Sequence, residues 1–393
     1  MKRLLNTGFW LLSCLVYGVM PVMAQGSPVP VFTGGEDGYQ TYRIPAIIGL
    51  KDGTLLAFAE GRVGGMADFG HIDIVMKMSR DHGASWGKLQ VVADNGTLQA
   101  GNPAPVVDYT DPAFPGGRIF LFYNTGDATE SQVREGKGTR RVWLRTSADQ
   151  GKTWSAAREI TRQVKRPGWR AYANTPGHAM QFNSGPYRGR IYVAANHSSG
   201  DPEPRFGDYR ANGYYTDDHG KTFSVSDDVP FPGGNEATAA QCSPSGLVMN
   251  IRNQQRPPAR RIVAFSGDGG MKWDTVYYDQ ALTDPVCEGS ILGVGRGKKG
   301  FILAFCNNAD TVSRNHLTVR ISPDGARHWT AAFPVRADTT GTGYADLVVV
   351  GRRRLGILYE RDDYKQIAFV TLDWSVRNPG KKISPGKSEA RDF

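Results

Sequence analysis

Short apolar runs rich in β-branched and aromatic residues recur along the chain, each following a Gly, Arg or Lys and ending in a polar residue. Runs of this length, bounded by turn residues, are typical of buried β-strands. The six runs are 53–60, 118–124, 190–196, 246–252, 300–307 and 354–360. A second strand-like segment precedes each of them, and these segments begin at Tyr42, Asn102, Asn174, Glu236, Glu288 and Tyr344. The pattern therefore predicts an all-β fold made of a repeated unit.

A short turn with a central Asp follows five of the six runs. The five copies, called the Asp turns below, are 79–86, 147–154, 216–223, 266–273 and 322–329. In each copy a Ser or Thr precedes the Asp by two residues, and an aromatic residue ends the turn. Asp and Ser side chains bond nearby backbone groups in turns, while Gly adopts strained dihedral angles at little cost. The fifth copy has Ala326 where the others have Gly.

Each unit is therefore predicted to contain four antiparallel strands, with the Asp turn between the third and the fourth. Six such sheets predict a six-bladed β-propeller, and we expect Pro28–Phe32 to help close the ring. Because adjacent strands run in opposite directions, first strands begin and second strands end at one rim, called the upper rim. The Asp turns lie at the other rim, called the lower rim. A site built from several blades is expected at the upper rim.

The amino terminus has the pattern of a secretory signal peptide. Lys2 and Arg3 precede the apolar stretch 9–20, and small residues end at Ala24. We expect residues 1–24 to be removed and 25–393 to form a single propeller domain, exported to the periplasm or the medium. Cys14 offers lipoprotein anchoring as an alternative, but its early place in the apolar stretch favours simple cleavage. No second apolar stretch of spanning length follows, so we expect no integral membrane segment.

Composition excludes several classes of function. The three remaining cysteines (Cys242, Cys287 and Cys306) lie in apolar runs and are expected to be buried thiols rather than a disulfide framework. The seven His residues show no metal-ligand spacing, so we expect neither a metal nor a cofactor. The formal net charge is +9, but Lys and Arg are dispersed, so we expect no nucleic-acid partner. We expect a monomer.

Charged and phenolic residues gather at the predicted upper rim. They come from four of the six units and are Arg43, Arg62, Asp68, Glu236, Arg252, Arg314, Tyr344 and Glu360. Guanidinium groups bind carboxylates through paired hydrogen bonds, so three arginines from different blades are suited to a substrate that carries a carboxylate. Arg320 lies close to Arg314 in sequence but is predicted at the lower rim. Asp73 enters an apolar strand and is interpreted as structural, and His178 and His197 receive no role.

These residues resemble those of the bacterial exo-sialidases of glycoside hydrolase family 33. Tyr42-Arg43-Ile44-Pro45 is similar to that family's Tyr/Phe-Arg-Ile-Pro motif, and the Asp turns resemble its Asp boxes. Glu236 lies 16 residues before Arg252, and Tyr344 lies 16 before Glu360, as in family members. The resemblance extends over roughly residues 38 to 375. It implies an exo-sialidase that hydrolyses terminal sialic acid from glycoproteins, glycolipids or oligosaccharides with retention of configuration.

The resemblance also implies a role for each residue. Tyr344 is the expected nucleophile, Glu236 its base, and Asp68 the acid that protonates the leaving oxygen. Arg43, Arg252 and Arg314 are expected to bind the carboxylate of the sugar. Glu360 is expected to hold Arg43, and Arg62 to contact the hydroxyl side of the sugar.

Two alternatives remain open at this stage. A trans-sialidase of the same family often has an added lectin domain, for which this chain is expected to have no room. A non-catalytic propeller that binds glycans would share the Asp turns but should lack the three arginines together with Tyr344 and Glu236.

Overall fold

The computed structural model describes residues 25–174, 176–335, 341–351 and 353–374, which form an all-β propeller. The predicted signal peptide, including Cys14, lies outside the described residues. Strand β1 (Gln25–Thr33) forms the outer edge of the last sheet in the chain. The next eight strands form one sheet: β2 (Thr41–Gly49), β3 (Leu55–Arg62), β4 (Ile72–Ser79), β5 (Gln90–Ala93), β6 (Gln99–Asp108), β7 (Arg118–Gly126), β8 (Arg140–Ser147) and β9 (Arg158–Glu159).

Four separate sheets complete the fold. The first contains β10 (Trp169–Asn174), β11 (Met180–Gln181), β12 (Ile191–Ser199), β13 (Tyr209–Thr216) and β14 (Ser224–Val225). The second contains β15 (Gly234–Gln241), β16 (Leu247–Asn253), β17 (Arg260–Ser266) and β18 (Thr275–Thr283). The third contains β19 (Ser290–Gly297), β20 (Gly300–Asn308), β21 (Leu317–Ser322) and β22 (Ala331–Pro334). The fourth contains β23 (Ala345–Gly351), β24 (Arg354–Arg361), β25 (Gln366–Asp373) and β1.

Short helical segments lie in the connections between strands. They are α1 (Glu130–Arg134), α2 (Thr161–Val164) and a 3-10 turn at Pro204–Phe206. Helix α1 begins with a capping box in which Thr129 and Gln132 satisfy each other's backbone N–H groups. Both α1 and the 3-10 turn follow second strands, so they stand at the upper rim.

The predicted number of six blades is wrong. The described residues form four separate blade sheets, and the strands assigned to the first two predicted blades form one eight-stranded sheet. The connection is a parallel pair between Ile72 of β4 and Gln99 of β6. It forms because β5 is short and pairs only with positions 74–76 of β4. The remaining edge of β4 at Ile72 bonds the chain that enters β6 instead, through its N–H to the Leu98 carbonyl at 3.3 Å.

Apolar contacts between facing sheets hold the blades together. Phe122 of β7 lies edge-on to Tyr214 of β13 and to Phe223, with ring centroids 5.8 and 5.9 Å apart. Fully burying one such ring stabilises the fold by about 2–3 kcal/mol. The ring of sheets closes where β1 pairs with β25, as expected for the segment that includes Val29 and Phe32.

The Asp turns share one hydrogen-bond pattern. In the copy at 147–154, the Ser147 hydroxyl donates to Asp149 Oδ1 at 2.8 Å and accepts from the Gly151 N–H at 2.8 Å. Gly151 has φ +85°, a conformation that favours glycine. The fifth turn keeps the same bonds although Ala326 adopts φ +68° in place of a glycine. The turns at the ends of β4, β8, β13, β17 and β21 lie at the lower rim.

Replacing Asp149 with Ala is expected to lower the free energy of unfolding at pH 7 by on the order of 1 kcal/mol. Thr153 donates to this carboxylate from its hydroxyl at 2.6 Å and its N–H at 2.9 Å, and these bonds lower the pKa of Asp149 to about 2. A carboxylate with a depressed folded-state pKa stabilises above its unfolded pKa, and this contribution disappears as pH falls. The difference between wild type and variant should therefore shrink between about pH 4 and pH 2.

Urea unfolding of both proteins across this pH range measures that difference. The control is Asp201→Ala, since the Asp201 side chain is 91% exposed and its ion pair with Arg170 lies at the surface. A difference between wild type and Asp149→Ala that stays constant down to pH 2 would show that the carboxylate charge is not what stabilises the turn.

Candidate functional site

A cavity of about 540 Å³ opens at the upper rim, within the size range of small-molecule sites. Its walls come from residues in the eight-stranded sheet and in all four separate sheets or the loops beside them. Seven of the eight residues predicted for the site line it: Arg43, Arg62, Asp68, Glu236, Arg252, Arg314 and Tyr344. Glu360 lies behind the wall, fully buried. The structure therefore brings the whole predicted set together.

Tyr344, Glu236 and Arg252 form a hydrogen-bonded group in this cavity. The Tyr344 hydroxyl lies 2.7 Å from both carboxylate oxygens of Glu236. Arg252 donates from Nη1 to Glu236 Oε2 at 2.6 Å and to Tyr344 Oη at 2.8 Å. A carboxylate within hydrogen-bond distance of a phenol is in position to accept its proton.

The surroundings of Tyr344 favour the neutral phenol over the phenolate. Burial, and then the negative charge of Glu236, raise the pKa of Tyr344 well above its usual value, while Arg252 and Arg314 work in the opposite direction. For Arg252, burial disfavours the charged form, but Tyr344 and Glu236 outweigh it and raise its pKa. A phenol of this kind gains nucleophilic character when a neighbouring base takes its proton.

Glu360 holds the two chain segments that carry Arg43 and Tyr344. Its Oε1 accepts from Arg43 Nε at 2.7 Å and from the Ile44 N–H at 2.9 Å. Its Oε2 accepts from the Tyr344 N–H at 2.8 Å. Ile44 has φ +60°, a strained conformation for a β-branched residue, at an irregularity in the pairing of β2 with β3. This irregularity turns Arg43 toward the cavity.

Three guanidinium groups surround the Tyr344 ring. The Arg43 and Arg314 carbons Cζ lie 5.6 and 5.5 Å from its centroid, and Arg252 bonds its hydroxyl. Arg314 also donates from Nη2 to the Val286 carbonyl at 3.0 Å. Three guanidinium groups in this arrangement have the charge and hydrogen-bond geometry that suit a planar anion.

Arg62 lies between two carboxylates. Buried Glu60 accepts hydrogen bonds from Arg62 Nε at 3.0 Å and from Arg62 Nη2 at 2.6 Å. Asp68 forms an ion pair with Arg62 Nη1 at 2.8 Å. The Asp68 side chain is 86% exposed and lies on the loop between β3 and β4. Glu60 also accepts from the Asn102 N–H at 2.9 Å, so it ties β3 to β6.

Two acidic residues were missed in the sequence-based prediction of the site. Glu60 ends the first apolar run, so its position at the upper rim is predictable from the sequence. Its role is not, because only the structure shows that it pairs with Arg62. Glu288 is fully buried, and its Oε2 accepts from the Ala345 N–H at 3.3 Å. Burial, followed by repulsion from Asp346 and Glu236, raises the pKa of Glu288 well above its usual value. Glu288 thus supports the strand that begins beside Tyr344.

The residues set aside in the sequence analysis do not line this cavity. Arg320 donates to Asn307 at 3.1 Å, and Asp73 accepts from the Tyr39 hydroxyl at 2.7 Å. His178 bonds Asp346 at 2.7 Å in the buried centre of the propeller. His197 stacks on Trp169 with ring centroids 3.6 Å apart.

One cluster among the described residues has the ligand types of a metal site: Asp108, Asp111 and His219. Asp108 Oδ2 bonds His219 Nδ1 at 2.7 Å, and Asp111 Oδ2 pairs with Arg118 Nη2 at 2.8 Å. An arginine in direct contact makes this an ion-pair network rather than a cation site.

Among the residues that the structure describes, none of the helices has the length and apolar character needed to cross a membrane.

The chain is similar in sequence to known proteins. Residues 53–357 match the model of the BNR repeat-like domain. A sialidase of Micromonospora viridifaciens is 30% identical over 93% of this chain, which spans 58% of that protein. An exo-alpha-sialidase of Aspergillus fumigatus is 30% identical over 90% of this chain and 89% of its own length.

Solved structures show the same likeness. The Hadza microbial sialidase Hz136 is 25% identical with a TM-score of 0.76, covering 88% of this chain and 68% of that chain. An intramolecular trans-sialidase from Ruminococcus gnavus, 16% identical with a TM-score of 0.73, shares the fold over 88% of this chain and 97% of its own. This chain therefore belongs to the exo-sialidases of glycoside hydrolase family 33.

Proposed function

We propose that this protein hydrolyses terminal sialic acid from glycoconjugates, with retention of configuration and with Tyr344 as the nucleophile. The observation that carries the proposal is the contact of the Tyr344 hydroxyl with Glu236 and Arg252 in a cavity that Arg43 and Arg314 also line. We infer glycoproteins, glycolipids and oligosaccharides as substrates, and export from the cell to reach them.

The chemistry of sialic acid explains this combination of residues. The anomeric carbon carries a carboxylate, which the three guanidinium groups around Tyr344 can bind through paired hydrogen bonds. That carboxylate would repel an Asp or Glu nucleophile at the same carbon. A neutral phenol avoids the repulsion, and glycosidases with a Tyr nucleophile are a known exception to the paired-carboxylate rule.

The proposed reaction has two steps. In the first, Tyr344 Oη bonds to the anomeric carbon as Glu236 takes the phenol proton, and the glycosidic C–O bond breaks. Asp68 gives its proton to the departing oxygen. In the second, Asp68 takes a proton from a water molecule that attacks the same carbon. The phenol leaves and regains its proton from Glu236. Two inversions at one carbon give overall retention.

The test is release of fluorophore from a 4-methylumbelliferyl sialoside, followed by NMR of the product made from sialyllactose. We expect sialic acid to appear first as the α-anomer and then to convert to the β-anomer in solution. No release would refute the hydrolase proposal, and β-anomer as the first product would refute retention. Transfer to added lactose, or an anhydro sugar as the main product, would indicate a trans-sialidase instead.

Asp68→Ala is expected to affect substrates according to their leaving group. A natural sialoside leaves as an alcohol and needs a proton, so its kcat/KM should fall by about 10²–10⁴-fold. A 4-methylumbelliferyl group leaves without help, so the formation of the intermediate from this substrate should be nearly unchanged. Single-turnover measurements on both substrates test this.

Asp201→Ala serves as the control, because Asp201 is also exposed and also pairs with an arginine. An equal loss of kcat/KM on both substrates in Asp68→Ala would argue against an acid role for Asp68.

A further inference from the structure

We infer that Tyr364 is a positioning residue for carboxylate binding, because its ring stacks on the guanidinium of Arg43. The Cζ atom of Arg43 lies 4.3 Å from the centroid of the Tyr364 ring, closer than the 5.6 Å to the ring of Tyr344. The inference rests on the function proposed above and adds a residue to its substrate-binding apparatus.

Arg43 needs a second support besides Glu360. Of the three guanidinium nitrogens of Arg43, Nε donates to Glu360 at 2.7 Å, so that bond fixes one edge of the guanidinium plane. Rotation about this bond would still turn the two terminal nitrogens away from the cavity. The Tyr364 ring under the Cζ atom of Arg43 opposes that rotation, because a cation over an aromatic ring is attracted to it.

The turn that carries Tyr364 is strained. Asp362, Asp363 and Tyr364, between β24 and β25, have φ values of +52°, +54° and +67°. Three consecutive non-glycine residues in this region are unfavourable, and such conformations persist where the surrounding structure enforces them, often at functional sites. A two-residue hairpin turn that contains glycine would connect β24 to β25 with less backbone strain.

Contacts around the turn enforce this conformation. Asp363 Oδ1 accepts from the Gly341 N–H at 3.1 Å, and the Asp363 N–H donates to the Gly341 carbonyl at 3.4 Å. At Gly343, which directly precedes Tyr344, an added Cβ would stand 2.6 Å from Cε1 of Tyr364. The Tyr364 ring therefore fills the space beside the chain that leads into Tyr344 as well as the face of Arg43.

The test compares Tyr364→Leu with Tyr364→Phe. Tyr364→Leu removes the flat ring, and we expect KM for a sialoside to rise about tenfold with kcat changed less than twofold, because the carboxylate is bound equally in ground and transition states. Tyr364→Phe keeps the ring and should stay within twofold of wild type in both constants. Tyr109→Leu is the matched control, since Tyr109 stacks under Lys51 at 4.2 Å away from the cavity.

A binding measurement separates positioning from a merely structural role. By calorimetry, Tyr364→Leu should bind 2-deoxy-2,3-didehydro-sialic acid about tenfold more weakly, while its affinity for the carboxamide of that inhibitor changes less than twofold. Equal weakening of both compounds, or a tenfold loss in Tyr364→Phe, would overturn the inference. If Tyr364→Leu does not fold, Tyr364→Gln takes its place with the same expected results.

The two proposals fail in different ways. If wild type releases no sialic acid from any sialoside, the proposed function fails. If wild type is active and Tyr364→Leu matches it in KM and inhibitor affinity, only the role of Tyr364 fails.

Discussion

Tyr344→Phe is expected to lower kcat on natural sialosides by on the order of 10³-fold or more, since it removes the attacking oxygen. The ring, whose centroid lies 5.6 and 5.5 Å from Cζ of Arg43 and Arg314, is retained, so the fold and the carboxylate site should survive. Affinity for 2-deoxy-2,3-didehydro-sialic acid should therefore stay within a few-fold of wild type. Steady-state kinetics and calorimetry on the same preparation measure both quantities.

The control for this variant is Tyr192→Phe. Tyr192 is also fully buried, and its hydroxyl bonds Ser226 Oγ at 3.4 Å in the core between sheets. The Tyr192→Phe variant should be less stable than wild type but keep the wild-type kcat. Full activity in Tyr344→Phe would refute the assignment of the nucleophile, and an equal loss in both variants would attribute the effect to stability.

Glu360→Ala is expected to have the largest effect on stability. It leaves the Arg43 charge buried without its carboxylate and frees the N–H groups of Ile44 and Tyr344. Removing one partner of a buried ion pair costs about 3–5 kcal/mol. We also expect a rise in KM, because the variant no longer fixes Arg43. Guanidinium chloride unfolding and kinetics on the folded fraction give the two effects.

Glu159→Ala removes a carboxylate from a surface pair instead. Arg141 and Glu159 lie 4.0 Å apart with both side chains largely exposed, so the expected loss is about 0–1 kcal/mol. If Glu360→Ala destabilised the protein no more than Glu159→Ala, the proposed anchoring role of Glu360 would be wrong.

Strand positions and turn chemistry were largely predictable from the sequence. The run 354–360 corresponds to β24 (Arg354–Arg361), and the run 246–252 corresponds to β16 (Leu247–Asn253). Apolar runs that follow a Gly, Arg or Lys and end in a polar residue carry this information locally, because each strand must bury its side chains. The Asp turns were predictable for the same reason, since their hydrogen bonds join residues within four positions of each other.

The number of separate sheets was not predictable in this way. It depends on whether β4 at Ile72 pairs with the start of β6 at Gln99, a contact between segments that no local pattern relates. The short length of β5 left that edge of β4 available, and residues 87–98 give no clear sign of where β5 ends. The prediction of six separate blades counted repeated units rather than hydrogen bonds between them.

Part of the candidate site was likewise predictable from local sequence, and part was not. Residue types and rim positions brought Arg43, Arg252 and Tyr344 together in the prediction, because alternating strand directions fix which ends share a rim. The position of Tyr364 beside Arg43 depends on an unusual backbone conformation, φ +67°, and the bonds of Glu60 to Arg62 and Asn102 depend on the direction of its side chain. Neither follows from residue type.

Trapping of the intermediate tests the nucleophile most directly. A 2,3-difluorinated sialic acid should react with the wild-type protein and leave the intermediate trapped. Its fluorine at C3 slows both steps, but fluoride at C2 is a good leaving group and speeds the first step only. Mass spectrometry of the intact protein should show one added sugar, and tandem spectra should assign it to Tyr344. A sugar attached to Asp68 or Glu236, or the absence of any adduct in a protein that hydrolyses sialosides, would contradict a mechanism through Tyr344.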